Sequence, residues 1–103
     1  MADHLADVRR YDATADAAVV ERIVKHLGVA LHGRDSALVS CSDEKERARV
    51  REKWCAKKLG ITDRARGDAA VAWVCETMAG DAAKRRVTFY FLVAKHLGKL
   101  DAL

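Results

Sequence analysis

Three nearly identical tetrapeptides recur along the chain: KHLG at 25–28, KKLG at 57–60 and KHLG again at 95–98. Each ends a stretch in which apolar residues recur every three or four positions, the spacing of one face of an α-helix. Glycine directly after such a stretch is the usual residue at a helix C-terminus, because it adopts a left-handed backbone conformation without a Cβ clash. The lysine and histidine before it suit the negative end of the helix dipole. The repeats therefore predict three separate helix ends.

An internal duplication is the alternative explanation of the repeats. The segments that precede the tetrapeptides do not match beyond their helical periodicity, and the gaps between the tetrapeptides differ in length. A solenoid would instead show a fixed period. We therefore predict that residues 1–103 form a single multihelical domain.

The same reasoning divides the chain into five helical stretches. In order, the predicted helices lie within ADHLADVRRY, ADAAVVERIVKHLG, SDEKERARVREKWCAKKLG, DAAVAWVCETMAG and DAAKRRVTFYFLVAKHLG. Side chains that can accept hydrogen bonds from the free N–H groups stand near the start of three of them. The expected caps are Asp12 or Thr14, Ser42 or Asp43, and Asp81, with Glu46 completing a capping box after Asp43 and Gly80 ending the fourth helix.

Two stretches are less regular. VALHGRDSALVSC at 29–41 is too short for a long helix, and we expect one short helical piece after Asp35. RVTFYFLV at 86–93 is rich in β-branched and aromatic residues, which favour a strand, but its apolar residues continue the helical stripe. The predicted fold class is all-α, a compact single-domain bundle of five or six short helices.

Composition supports a helical, globular chain. There are nineteen alanines and no proline, asparagine or glutamine, and alanine is the strongest helix former. No stretch reaches the roughly 18 apolar residues of a membrane span, and the opening MADHLADVRR has no apolar run of a secretory signal. Three cysteines form an odd count without a CxxC pair, so we predict no disulfide framework. The expected location is the cytoplasm, with no membrane partner.

Several phrases resemble those of a small bacterial family known as domain of unknown function 2853. The phrases are DVRRYDATADAAVVERIVKHLGVAL, REKWCAKKLG, and VCETM followed by RVTFYFLVAKHLGKL, which together cover nearly the whole chain. The resemblance implies a multihelical cytoplasmic protein of bacterial origin. It implies no activity, cofactor or catalytic residue.

The chain carries no recognisable catalytic or metal-binding pattern. The four histidines never stand at HxxxH or HExxH spacing, and no GxSxG or glycine-rich phosphate loop occurs. We therefore predict no catalytic, cofactor-binding or metal-ligating residue. Cys75 lies on an apolar stripe and is interpreted as a small buried residue. Cys55 has two interpretations: a thiol activated by the nearby Lys57 and Lys58, or an inert mid-helix thiol.

Charge is concentrated in residues 45–66, which hold nine cations and three acids. Arg49, Lys53 and Lys57 follow one another at intervals of four, so their like charges repel along one helical face, and a phosphate group would relieve that repulsion. KRR at 84–86 falls in the predicted first turn of the last helix, where cations oppose the dipole and an anion could bind. The predicted anion-binding residues are Arg49, Lys53, Lys57, Lys84, Arg85 and Arg86.

Aromatic residues suggest a different function. Trp73 and Phe89 fall off the best stripes of their helices, and an exposed aromatic patch usually marks a partner surface. Burial of the last helix on all sides is the alternative explanation. Our first interpretation is a non-enzymatic protein that binds another protein or a second copy of itself. The alternative is a low-specificity nucleic-acid or anion binder that uses the basic 45–66 helix and the 84–86 turn, through phosphate contacts because the chain lacks asparagine and glutamine.

Overall fold

Helices form most of the described chain, residues 4–33 and 37–103 of a computed structural model. The α-helices are α1 His4–Arg9, α2 Ala17–Leu27, α3 Glu44–Arg49, α4 Arg64–Thr77 and α5 Arg86–His96. Helix α3 continues without a break into a π-helical stretch, Val50–Lys58, which we call the π segment. Short 3₁₀ turns follow α2 at Gly28–Leu31 and α5 at Leu100–Ala102. The predicted all-α bundle is confirmed, and none of the helices in the described ranges has the length and apolar composition to cross a membrane.

Helix α5 runs through the centre of the bundle. Every residue from Arg86 to Ala94 is buried, and helices α1, α2 and α4 and the π segment pack against it. A helix surrounded on all sides has no polar face, which explains why apolar and aromatic residues occupy its whole circumference. The helical prediction for 86–93 is confirmed, and the strand alternative is wrong.

Trp54 joins the π segment to this central helix. Its side chain is completely buried, and its Nε1 donates a hydrogen bond of 2.9 Å to the backbone carbonyl of Tyr90. The Trp54 and Tyr90 rings lie with their centroids 4.7 Å apart. A large apolar side chain is thus buried together with a satisfied polar atom, the arrangement that buried tryptophans require.

The three tetrapeptides do end helices. Gly28, Gly60 and Gly98 have φ values of 49°, 73° and 69°, the region that a Cβ atom disfavours. At Gly60 the chain reverses so that the Ile61 N–H donates to the carbonyl of Cys55 at 2.8 Å. The predicted helix ends are confirmed. Gly80 behaves differently, because α4 ends at Thr77, three residues before it.

Replacing Gly60 with alanine is expected to lower the free energy of unfolding by about 1 kcal/mol, because an L-residue is strained at positive φ. A Cβ at Gly60 meets no atom within 4 Å, so the backbone strain acts alone. Gly80 is the matched control: it has equally open surroundings and is not among the positive-φ glycines. Urea denaturation of both variants measures the difference, and equal losses at the two positions would contradict the strain argument.

Two of the predicted caps are wrong. Helix α2 is capped by Asp16, whose carboxylate accepts from the Ala18 N–H at 2.8 Å, while Asp12 accepts from Thr14 instead. Helix α5 begins at Arg86 after Arg85, without a side-chain cap. Asp81 lies outside the helix and accepts hydrogen bonds from Arg10 and Tyr11 near the N-terminal helix, at 2.6 and 3.2 Å.

The third cap is correct in part. The Asp43 carboxylate accepts from the Lys45 N–H at 2.9 Å and caps α3 as predicted. Glu46 does not complete a capping box, because its carboxylate accepts from the Arg86 guanidinium. The Asp43 N–H donates to the Ser40 carbonyl at 3.3 Å instead.

The stretch before α3 is extended rather than helical. Leu38 and Arg85 form an isolated antiparallel bridge, in which the Val39 N–H donates to Lys84 and the Arg86 N–H donates to Ala37, both at 2.8 Å. The predicted helical piece is therefore wrong for residues 37–40. Its beginning, including Asp35, lies outside the described residues.

A disulfide joins Cys41, which lies before α3, to Cys75 in α4, with their Cα atoms 5.8 Å apart. The prediction of no disulfide framework is therefore wrong, and so is the interpretation of Cys75 as a simple buried apolar residue. The odd cysteine count consists of one bonded pair and one free residue, Cys55. The two bonded cysteines are 34 positions apart, so no local pattern reveals the pair.

Candidate functional site

A depression of about 210 Å³ lies where the end of α2, the start of the π segment and α5 meet. It combines positive charge with apolar and aromatic surface, and we call it the basic pocket. Its lining residues are His26, Leu27, Ala30, Arg49, Lys53, Arg86 and Tyr90. Concave sites that mix an apolar wall with a few polar groups are the usual form of a ligand site.

Arg86 is the buried cation of the basic pocket and is only 5% exposed. Its guanidinium donates to the Glu46 carboxylate, to the Leu38 carbonyl at 3.0 Å and to the Tyr90 hydroxyl at 3.3 Å. These bonds come from three parts of the chain and fix the orientation of the planar group. Because these bonds occupy much of the planar fork, Arg86 contributes mainly a fixed positive charge to the pocket.

Tyr90 contributes a neutral hydroxyl. Burial raises the pKa of the Tyr90 phenol, so the group keeps its proton near neutral pH. Because the oxygen accepts from Arg86, the phenol proton is directed away from the guanidinium and can be donated to another acceptor.

Arg49 and Lys53 form the exposed rim of the basic pocket, four residues apart on α3 and the π segment. The Arg49 guanidinium lies 3.6 Å from the Glu46 carboxylate that also pairs with Arg86. Arg49 and Arg86 therefore share one carboxylate, and Lys53 adds a third cation, which leaves an excess of positive charge at the pocket. An anion entering the pocket would meet net attraction.

His26 supplies a group that is mainly neutral at pH 7. Burial, and then the positive charge of Lys58, lower the pKa of the His26 imidazole from its usual value near 6.5. The ring lies 5.2 Å from the Trp54 ring. A neutral imidazole can donate or accept one hydrogen bond at the edge of the pocket.

The structure brings together three of the six predicted anion-binding residues: Arg49, Lys53 and Arg86. Lys57 does not line the basic pocket. The predicted straight row of three cations consequently ends at its second member.

The other two predicted residues lie elsewhere. The Lys84 ammonium donates to the Asp81 carbonyl at 2.9 Å, and the Arg85 guanidinium lies 3.9 Å from the Asp7 carboxylate. Both precede α5, which starts at Arg86, so the placement of KRR inside a first helical turn is wrong for these two residues.

Sequence reasoning missed His26 and Tyr90 as pocket residues. His26 was explained by the helix end, and Tyr90 by the apolar stripe of α5. Each explanation requires only neighbouring residues of the same helix. Only the packing of α2 beside α5 shows that the two side chains line one depression.

The aromatic residues are mostly interior. Phe89 and Trp54 are fully buried, whereas Trp73 is 44% exposed and stacks on His96 with ring centroids 4.5 Å apart. Burial of the last helix on all sides, the alternative explanation, is confirmed. The predicted aromatic patch reduces to Trp73 among the described residues.

The structure favours the inert interpretation of Cys55. Its side chain is fully buried, and burial, assisted by the negative charge of Asp68, raises the pKa of the thiol to about 11. The cation that lowers this pKa is Arg51 rather than Lys57 or Lys58, and desolvation outweighs its effect, so the structure does not support activation by the two lysines. Within the described ranges, no group of three or more His, Cys, Asp or Glu side chains is arranged to hold a metal ion.

Comparison with known proteins identifies the family and no activity. No curated protein matches the chain. The family model described as a protein of unknown function (DUF2853) matches residues 3–101, nearly the whole chain. This match confirms the resemblance carried by the WCAKKLG and TFYFLVAK phrases. The chain belongs to the DUF2853 family.

Proposed function

We propose that the protein binds a small phosphate-bearing ligand in the basic pocket. The observation that carries this proposal is the convergence of the buried, fixed Arg86 with the exposed Arg49 and Lys53 on one depression. Arginine favours phosphate because its planar fork donates two parallel hydrogen bonds to one oxyanion. Lys53 adds a mobile ammonium, and the Tyr90 hydroxyl adds a further donor.

The size of the basic pocket limits the ligand. Its volume of about 210 Å³ is below the roughly 300–1,000 Å³ of sites for drug-sized molecules. One phosphate group with a small ring or short chain is a suitable fit. Leu27, Ala30 and the Tyr90 ring offer apolar contact to the part that carries the phosphate.

Arg49 can exchange its carboxylate partner for a phosphate. Arg49 is mostly exposed and lies 3.6 Å from Glu46, a long contact that contributes little in water. A phosphate would draw Arg49 away from Glu46, while Arg86 would keep its own pairing with that carboxylate. The cost of binding is therefore small, because the buried part of the network does not rearrange.

Titration with phenyl phosphate tests this proposal. Saturable shifts of the amide signals around Arg49, Lys53 and Tyr90 are expected in ¹⁵N–¹H spectra. The double variant Arg49→Ala/Lys53→Ala is expected to weaken binding at least about tenfold, because it removes two charge-assisted contacts. Lys57→Ala is the matched control, since it removes one charge from the same segment outside the pocket. Absence of binding at low salt, or an equal loss in Lys57→Ala, would contradict the proposal.

A nucleic acid is the other source of phosphate, and the same variants distinguish it. Labelled single-stranded DNA and RNA are titrated at two salt concentrations beside phenyl phosphate. Binding that requires several nucleotides and falls steeply with salt would replace the small-ligand proposal with a phosphate-backbone interface.

A protein partner or a second copy of the chain is the second candidate. The single observation in its favour is the exposed Trp73 stacked on His96, because large exposed aromatics are enriched at interfaces. Sedimentation over a range of concentrations is the direct test of self-association. A mass that stays monomeric at all concentrations would remove the homodimer. A cytoplasmic location also stays part of the proposal. The Cys41–Cys75 disulfide argues against it, because cytoplasmic thiols are normally kept reduced.

A further inference from the structure

The Cys41–Cys75 disulfide lies on the wall of a large surface cavity. The cavity has a volume of about 650 Å³, and Ser40, Ser42 and Lys84 line it together with the two cysteines. Both cysteines are only partly buried. We therefore expect a small thiol to approach the disulfide through this cavity while the protein remains folded. Disulfides that solvent reaches are the ones that exchange readily.

The segment that carries Cys41 is held by more than the disulfide. Hydrogen bonds of 2.8 Å join Val39 to Lys84 and Arg86 to Ala37, and the Arg86 guanidinium donates to the Leu38 carbonyl at 3.0 Å. Val39 is also buried in the core. None of these contacts involves sulfur, so they persist when the disulfide opens and keep Cys41 close to Cys75.

The third cysteine is separated from the pair. Cys55 belongs to the π segment and is fully buried near Gly67 of α4, and burial raises the pKa of its thiol to about 11. A neutral, inaccessible thiol does not attack a disulfide. Reduced Cys41 and Cys75 therefore have each other as partners, without competition from Cys55.

We propose that Cys41 and Cys75 form a reversible thiol–disulfide site that dithiol reductants open through the 650 Å³ cavity. A reductant thiolate attacks one of the two sulfurs, the protein disulfide breaks, and a mixed disulfide forms. The sulfur that leaves does so as a thiolate and takes a proton. The second reductant thiol then displaces the remaining protein thiol. Two electrons and two protons pass to the protein, and the reductant becomes a disulfide.

Reduction is expected to loosen the start of α3. Cys41 lies two residues before Asp43, the N-cap of that helix, and the disulfide ties this point to α4. Without the bond, hydrogen exchange is expected to increase for the amides of residues 40–46, while the amides of α5 stay protected. The site does not depend on phosphate binding, so the two proposals fail independently.

Counting free thiols on the full chain tests the site. The protein is treated with N-ethylmaleimide under native conditions, before and after dithiothreitol, and its intact mass is measured. No label is expected on the oxidised protein, and two labels, on Cys41 and Cys75, are expected after native reduction. Denaturant adds one further label at Cys55 in both samples. Removing the reductant and adding oxidised glutathione is expected to restore the unlabelled state.

Three results would overturn the proposal. One is three free thiols in protein equilibrated with oxidised glutathione. Another is reduction by dithiothreitol only in denaturant, which would make the bond a purely structural one. The last is failure of the reduced protein to regain the bond. Cys55→Ser is the matched control and is expected to behave like the parent in native labelling.

Discussion

Replacing Arg86 with alanine is expected to destabilise the protein by about 3–5 kcal/mol, because it leaves the Glu46 carboxylate buried without its main partner. Arg86 and Glu46 are 5% and 8% exposed, so water does not replace the lost guanidinium. The Leu38 carbonyl and the Tyr90 hydroxyl lose their donor at the same time. Urea denaturation followed by circular dichroism measures the loss.

A neighbouring arginine gives the matched control for this prediction. The Arg85 side chain is 39% exposed, and its guanidinium lies 3.9 Å from Asp7, so Arg85→Ala is expected to cost less than about 1 kcal/mol. The double variant Arg86→Ala/Glu46→Gln is expected to recover part of the loss, because the uncompensated charge is removed. Equal losses for Arg85→Ala and Arg86→Ala would show that the buried Arg86–Glu46 pair contributes no more to stability than an exposed ion pair.

The helix ends were predictable from sequence because each depends on a local backbone requirement. Gly60 and Gly98 have positive φ because each follows the last apolar residue of a helix, a pattern that is visible in the sequence itself. The helical state of 86–93 was also predictable, although its burial on every side was visible only as a surplus of apolar residues. Local rules were sufficient wherever the determining atoms lie within one turn of each other.

Long-range pairs were not predictable for the opposite reason. Arg86 pairs with Glu46, 40 residues away, and Asp81 pairs with Arg10, 71 residues away. Both acids also matched a plausible local role as helix caps, so the sequence favoured the local explanation. The Cys41–Cys75 pair was not predictable for the same reason: its members are 34 positions apart, and the residues next to each cysteine do not indicate a bond.

The candidate pocket was predictable in part. Arg49, Lys53 and Arg86 came from the charge pattern, whereas His26 and Tyr90 depend on the packing of α2 against α5. Lys57 follows Lys53 at the same interval of four but does not line the pocket. The π-helical geometry of this segment, in which the Leu59 N–H donates to the Trp54 carbonyl five residues back, also had no local signal in the sequence.

The π segment links the core to the basic pocket. Trp54 points into the core, where it contacts Tyr90, while its neighbour Lys53 lines the pocket beside the same tyrosine. Tyr90 thus has its ring against Trp54 and its hydroxyl against Arg86. The position of the pocket groups therefore depends on the packing of one tryptophan.

Trp54→Ala is expected to be the other severely destabilising change, by about 3–5 kcal/mol, because a fully buried large side chain leaves a cavity that the core cannot refill. Trp54→Phe keeps most of the volume but removes the donor to the Tyr90 carbonyl, and a loss of about 1–3 kcal/mol is expected. Chemical denaturation gives both values, and near-ultraviolet circular dichroism reports whether the aromatic cluster stays ordered.

Trp73→Ala tests whether burial, rather than residue type, determines the loss. Trp73 is 44% exposed and contacts the His96 ring at the surface, so its removal is expected to cost about 1 kcal/mol or less. In the titration with phenyl phosphate, Trp73→Ala is expected to bind the ligand as tightly as the parent. Trp54→Phe is expected to bind it more weakly if the change displaces Tyr90, because Tyr90 lines the pocket. A loss of stability in Trp73→Ala as large as that in Trp54→Ala would mean that the surface stack between α4 and α5 contributes as much as the buried ring, and would contradict the burial argument.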